Sequence, residues 1–327
     1  MTDFTGILNQ KLRGKKILLI GVKFYHFTDE IIAKLVHYGA EVTFRYERDT
    51  TIKFGLAKTF KPEFADVLQE RHYRKVAAEA EEKHFDYMLV IRGYTMQPWF
   101  VEKIKADHPG IQTILYQWDS YANWECDYRY LISSFDVVKT FDRKDAVELG
   151  LPYVPTYSSD EYADLPETET EFDIFYSGGY TGPRYEFLKQ LLSYSAAHGL
   201  KLYAHLVMNQ VSYIRGFLSN DKPDRSLLSF KNLSKEEYIE IFKRSNVIID
   251  YTKDTQAGIT MRTLDVLAAG KKLLTNNRYI MEEPAYNPAQ IQLFDPANFS
   301  VDTDFVKRKE LFPRQDFSID KWLNNIF

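Results

Sequence analysis

Short runs of Val, Ile and Leu recur along this chain, and between them apolar residues return at every third or fourth position. In the first half the runs are KKILLIG (15–21), EVTFRYE (41–47), FDYMLVIRG (85–93), IQTILYQWD (111–119) and FDVVKTF (135–141). Helical spacing fills the gaps, from about Thr28 to Tyr38 and then over a long stretch ending at Lys83. Runs that are apolar at consecutive rather than alternate positions predict strands buried on both faces, the habit of parallel sheets covered by helices. Right-handed crossovers then make a doubly wound α/β domain.

The alternation stops at YSSDEYADLPETETEF (157–172), an acidic stretch with almost no apolar period, and restarts beyond it. DIFYSGG (173–179), KLYAHLVM (201–208), NVIIDYT (246–252) and KKLLTNN (271–277) read as strands. Helices fall at RYEFLKQLLSYSAAHG (184–199), at SKEEYIEIFKRS (234–245) and after Gly258; Ser234 and Glu237 have capping-box spacing. Residues 209–233 are polar and irregular and receive no assignment. The layout predicts two Rossmann-like doubly wound domains, 1–157 and 173–327, joined by a linker at 158–172 and facing a central cleft, with the last helix able to pack back on the first domain. Ligands of such domains lie beyond the carboxyl ends of the strands, which directs attention to the loops after Ile20, Ile91, Trp118, Tyr176 and Asp250.

Composition narrows the partners. The 327 residues carry a net charge of −4 with Lys and Arg spread along the chain, so a nucleic-acid binder, which needs a concentrated basic face, is disfavoured. A single cysteine, Cys126, excludes an intrachain disulfide framework and a cysteine-cluster zinc site, and fits a reducing cytoplasm. The opening MTDFTGILNQ lacks a signal-peptide pattern, and no apolar run approaches the ~20 residues that span a bilayer. Aromatic residues make up 15% of the chain; most serve the core, and tyrosines that reach a groove can stack on sugar rings.

Candidate chemistry gathers in the second half. YSGGYTGPR (176–184) and TQAGIT (255–260) are glycine-bearing turns that lead directly into helices. A helix N-terminus exposes unpaired amides and about half a positive charge, a setting that receives phosphate, and glycine lets a ligand approach the backbone. Arg184 adds a cation suited to bidentate contact. On the helix after Gly258, Arg262 and Asp265 share a face while Met261, Leu264 and Ala268 can point towards the sheet. A carboxylate set inside such a helix can hold ribose hydroxyls; the plainer reading is a surface Arg–Asp pair of little energetic weight.

AGITMRTLDVLAAGKKLLTNN (257–277) resembles the donor-site segment of GT-B-fold glycosyltransferases, in particular bacterial enzymes that build capsular, exopolysaccharide or lipopolysaccharide glycans. The likeness extends more loosely to DIFYSGGYTGPRYEFLKQLL (173–192) and to the two-domain layout; the family usually has Glu where Asp265 stands. The resemblance implies a nucleotide sugar held by the second domain and a glycan or lipid-linked acceptor held by the first. It places Gly258, Ile259 and Thr260 at the diphosphate, Arg262 beside it or the sugar, and Asp265 at the ribose, with Gly179, Thr181 and Arg184 closing the other side.

Glycosyl transfer needs stabilisation of a departing nucleoside diphosphate and, with inversion, a base for the acceptor proton. Helix termini and Arg can supply the first, so no metal or other cofactor is expected. For the base, Asp119 at a strand end among aromatic residues is the first candidate, His26 in the loop after the first strand the second, and Glu125 the third. The plainer reading of Asp119 is a helix cap. The Asp302/Asp304 pair resembles a metal-binding DxD but stands in a polar C-terminal stretch without strand context, and the seven histidines show no metal-ligand spacing. GxGxxG after the first strand, GxSxG and a Walker A sequence are all missing, which disfavours a dehydrogenase, a serine hydrolase and a P-loop kinase. KLRGKK (11–16) and KRKELFPR (307–314) read as solvated faces, or as contacts for anionic headgroups under a membrane-linked acceptor. The expectation is a cytoplasmic glycosyltransferase with peripheral contact to the membrane's cytoplasmic face. Its rivals are a non-catalytic nucleotide- or sugar-binding protein and a sugar-nucleotide epimerase.

Overall fold

A computed structural model describes residues 4–23, 26–122, 127–218, 223–253 and 256–327. Contacts divide the chain into two units: Met1–Ser159 with Thr255–Ile259 and Phe317–Phe327, and Asp160–Asp254 with Thr260–Asp316.

The first unit runs α1 (Thr5–Leu12), β1 (Lys16–Gly21), α2 (Phe27–His37), β2 (Glu41–Tyr46), α3 (Ile52–Phe60), α4 (Pro62–Glu81), β3 (Tyr87–Ile91), α5 (Pro98–Asp107), β4 (Gln112–Gln117), β5 (Val137–Thr140) and α6 (Arg143–Leu149). Its five strands are parallel, in the order β2-β1-β3-β4-β5, with Leu18 opposite Thr43 and Met88. Consecutive apolar residues are required because each strand feeds two cores: Ile17 and Leu19 pack with Leu8, Leu12, Ile31 and Leu35 on one face, Leu18 and Ile20 with Tyr73, Val76, Phe100 and Ile104 on the other. Each fully buried Leu or Ile contributes about 1.5–3 kcal/mol. The single long helix expected up to Lys83 is two, α3 and α4. Pro62 has no amide to donate and drives Lys61 out of helical space, to φ −147° and ψ 75°.

The second unit runs α7 (Asp160–Ala163), β6 (Phe172–Gly179), α8 (Gly182–Ala197), β7 (Leu202–Val207), α9 (Gln210–Leu218), α10 (Lys235–Lys243), β8 (Ser245–Asp250), α11 (Met261–Ala268), β9 (Lys272–Thr275), β10 (Ile291–Leu293) and α12 (Thr303–Lys307). Its sheet is again parallel, ordered β10-β9-β8-β6-β7. Counted from its own first strand this is the same 2-1-3-4-5 arrangement as in the first unit. The segment 158–172 is more than a tether: Tyr162 and Leu165 in it are buried. Ser234 and Glu237 form the reciprocal capping box. The unassigned 209–233 contains α9, and the fifth strand, β10, is three residues long, too short to show a period. The last helix, α13 (Ile319–Ile326), belongs to the first unit, where Trp322, Leu323 and Ile326 complete the core beside α1 and α2.

Candidate functional site

In a 2-1-3-4-5 sheet the crevice for ligands opens where successive crossovers depart to opposite faces, between the first and third strands. In the second unit these are β6 and β8, and the loops leaving their carboxyl ends begin α8 and α11. Arg184 in the first turn of α8 ties the two loops together, donating to the carbonyls of Gly179 (3.3 Å) and Tyr251 (3.0 Å). Its guanidinium stands 5.8 Å from the Tyr251 ring centre, and the Tyr180 and Tyr185 rings lie 5.8 Å apart nearby in sequence. Gly179 and Thr181 are exposed, and Thr181 caps α8 through the Arg184 amide (3.4 Å). Tyr176 adds a feature that no sequence pattern marks: its ring is fully buried and its buried hydroxyl has no hydrogen-bond partner among the described residues. That hydroxyl lies 3.8 Å from where a Cβ on Gly178 would sit, with the Arg184 Nη1 at 3.7 Å from the same point. Burial pushes the phenol up to about 12, so it stands as a donor at neutral pH.

The start of α11 is built differently from the expected phosphate cradle. Asp250, the last residue of β8 and buried, accepts the hydroxyls of Thr260 (2.6 Å) and Thr263 (2.8 Å), while Thr260 Oγ1 caps the Thr263 amide (3.1 Å). Arg262 turns inward, its Nη1 3.8 Å from Asp250 Oδ1 and its Nε donating to Tyr238 Oη at 3.1 Å. Burial alone would lower the Arg262 pKa, but Tyr238 and Asp250 outweigh it and hold the guanidinium charged. Asp265 is 6% exposed; α7 packs across α11, and burial reinforced by the Asp265 charge drives the Tyr162 hydroxyl far above its usual range. The surface Arg–Asp pair of the plainer reading is therefore absent, because both side chains are drawn inward.

Gly258 and Ile259 group with the first unit. Asp142, the N-cap of α6, accepts the amides of Ala257 (3.1 Å) and Gly258 (2.9 Å) together with the Ser120 hydroxyl. A Cβ on Gly258 would lie 2.3–2.6 Å from the Phe141 ring. The absence of a side chain at 258 is thus explained by Phe141, and the amide expected at a diphosphate is spent on a carboxylate. Ile259 is buried.

At the carboxyl edge of the first sheet, Glu47 at the end of β2 is fully buried and pairs with Arg92, whose Nε lies at 2.9 Å; its other oxygen accepts the Tyr94 amide at 3.0 Å. These bonds hold a loop in which Arg92 (φ 74°) and Thr95 (φ 47°) adopt left-handed backbone, at about 1–3 kcal/mol each. Asp119, the first candidate base, is 34% exposed and faces Arg92 Nη1 at 3.8 Å. His26, one third exposed, has Nε2 3.3 Å from the buried Ser159 hydroxyl and 3.6 Å from Glu30, and the Ser159 hydroxyl also bonds Glu30 at 2.9 Å. Glu125 lies outside the described residues. Asp302 caps α12 through the Asp304 amide (2.9 Å), and among the described residues no three His, Cys, Asp or Glu gather as a metal site. No helix among the described residues is long and apolar enough to cross a membrane.

Comparison with solved structures finds this architecture in an α,α-trehalose-phosphate synthase (UDP-forming) from Burkholderia xenovorans, in complex with glucose-6-phosphate: 11% identity, 90% of each chain covered, TM-score 0.53. A glycosyltransferase from Rickettsia africae ESF-5 aligns at 12% identity over 87% of this chain and 85% of its own, TM-score 0.52. S. aureus MnaA with UDP aligns more weakly, at 13% identity, 87% and 85% coverage and TM-score 0.48. No family model matches the sequence, and no curated protein matches it. The chain has the GT-B fold: two parallel five-stranded α/β units, each with helices on its sheet.

Proposed function

We propose that the protein transfers a glycosyl group from a nucleotide sugar to a glycan or lipid-linked acceptor in the synthesis of a surface polysaccharide, without drawing on a metal ion. The observation that carries this reading is the carboxyl edge of the second sheet, where Arg184 joins the ends of β6 and β8 beside the unpaired Tyr176 hydroxyl and a group of tyrosine rings. A buried donor without an acceptor costs about 1–3 kcal/mol, a cost that a ligand oxygen would remove. In this reading Arg184 and the first amides of α11 face the diphosphate, Arg262 neutralises Asp250 from within, and Asp265 holds the ribose. Asp119 or His26 takes the acceptor proton. The fold likeness to a glycosyltransferase and to a UDP-forming synthase supports the class and makes uridine diphosphate sugars the first donors to try.

The test is turnover: the full chain is incubated with a panel of sugar nucleotides and glycan acceptors, and released nucleoside diphosphate is measured. Tyr176→Phe loses no bond within the protein and removes that cost, so it should leave the unliganded chain as stable or up to about 1–3 kcal/mol more stable, and weaken nucleotide binding about three- to tenfold. Unchanged affinity by calorimetry would remove Tyr176 from the site, and the same measurement on Asp265→Ala decides the ribose role. A second reading, nucleotide or sugar binding without transfer, is favoured by one observation: Asp142 and Asp250 already serve the donors around the start of α11. Tight binding with no released diphosphate would select it.

A further inference from the structure

The first unit has a crevice of its own. In the order β2-β1-β3-β4-β5 the crossovers part between β1 and β3, so a ligand is expected at the loop leaving β3. That loop is held in a costly shape. Arg92 and Thr95 have left-handed backbone, Thr95 even though its side chain branches at Cβ. Thr95 Oγ1 and Gln117 Oε1 are buried with no hydrogen-bond partner among the described residues. The Tyr73 hydroxyl and the Gln69 side-chain amide pin the Tyr94 carbonyl between these positions, at 2.9 and 3.4 Å. Strain that the surroundings maintain gathers at binding sites. Charge indicates the ligand. Three cations stand round the Tyr94 ring, Lys58 at 5.1 Å, Arg92 at 5.7 Å and Arg48 at 6.0 Å from its centre, and all three are partly buried. The neighbouring carboxylates are committed: Glu47 to Arg92 and the Tyr94 amide, Asp49 to the Thr51 amide at 2.7 Å, and Asp119 to Arg92. Arg48, two residues past the end of β2, has neither a hydrogen bond nor an ion pair among the described residues. Drawing a guanidinium partly out of water with no anion beside it is unfavourable, and like charges round one ring repel one another.

From these observations we infer that the surroundings of Tyr94 bind an oxyanion group, phosphate or carboxylate, carried by the acceptor sugar, with Arg48 and Lys58 as the cations that meet it. Arg92, already shared between Glu47 and Asp119, adds its charge from behind them. A guanidinium presents a planar fork of donors that matches either group, and a lysine beside it supplies a point charge. An anion there gives Arg48 the counter-charge it lacks and relieves the repulsion among the three cations. Calling the bound molecule an acceptor rests on the glycosyl-transfer reading; the anion site itself rests on the first unit alone.

The test is a ligand-observed NMR titration of the full chain with inorganic phosphate, glucuronate and glucose. At least one of the two anions should saturate a site about tenfold more tightly than glucose, and added salt should weaken it. Saturation by phosphate alone assigns a phosphorylated sugar, and by glucuronate alone a carboxylated one. Arg48→Gln should lower the anion's affinity about tenfold, while Arg48→Lys, which keeps the charge without the fork, should lose less. Arg48 has no bond within the protein to lose, so circular dichroism should show an unchanged fold. Phosphate that binds elsewhere on the chain is recognised by its indifference to Arg48→Gln. Failure of both anions to saturate, glucose binding as tightly as they do, or an unchanged anion affinity in Arg48→Gln overturns the inference. Anion binding through Arg48 in a protein that releases no nucleoside diphosphate upholds the site and strikes the transfer reading alone.

Discussion

Asp250 shows how much one side chain can organise. It closes β8, receives two threonine hydroxyls and stands beside the Arg262 guanidinium, so the cap of α11 and the charge on its first turn depend on it together. Asp250→Ala leaves Arg262 without its counter-charge and two hydroxyls without an acceptor; the expected loss is about 2–4 kcal/mol, read from the urea midpoint. A loss below about 0.5 kcal/mol, the range of ordinary surface changes, would contradict the network. The sequence held a partial signal for it, an aspartate at the end of an apolar run followed by Thr260 and Thr263 at N-cap and N3 spacing. The unpaired hydroxyl of Tyr176 had no such signal, because a lack of partners is a property of the surroundings.

At the level of elements, the two turns chosen from their glycines proved unequal. The α8 turn is open, but Pro183 carries no amide and Thr181 already caps Arg184, so the Arg184 side chain is its strongest anion-binding group. The segment before α11 is packed, with Phe141 against Gly258 and Asp142 on two successive amides. Gly258→Ala should therefore cost about 1–3 kcal/mol in the absence of any ligand, and Phe141→Leu should recover part of it in a double-mutant cycle. Additive losses would show that the ring is not the obstacle. Glycine composition told where these turns lie; what fills the space above Gly258 depended on Phe141, more than a hundred positions away, while Gly179 and Gly182 have nothing within 4 Å.

For the molecule as a whole, pH exposes the cost of burial. Lys271 and Lys272 donate only to carbonyls, those of Lys243 and Ser245 and of Phe305, Val306 and Arg308, and burial lowers both to about 8. Between pH 8 and about 10.4, the ordinary lysine value, the unfolded chain holds protons that the folded chain has released, so raising the pH across that window favours the fold. Buried tyrosines act in the opposite sense: Tyr116 and Tyr128 are raised by burial, so above pH ~10 the unfolded chain ionises first and stability falls. Urea unfolding should show stability rising from pH 8 towards 10 and then declining, with a smaller rise in Lys271→Met. A flat profile over that window would mean that neither lysine is depressed.

Apolar runs, helical spacing and the prolines and glycines between them were enough for the α/β class, two parallel sheets and most element positions, because each of those features is set by neighbours within a turn or a strand. The break at Pro62 was equally local, and only the length of the helical pattern hid it. Other features rest on side chains brought together from distant segments. Asp142 meets the amides of 257 and 258, Arg184 meets Tyr251, α13 joins the core of the first unit, and α3 keeps an uncovered apolar side. No periodicity encodes such meetings, since burial and pairing are decided by what packs opposite a residue and not by what precedes it.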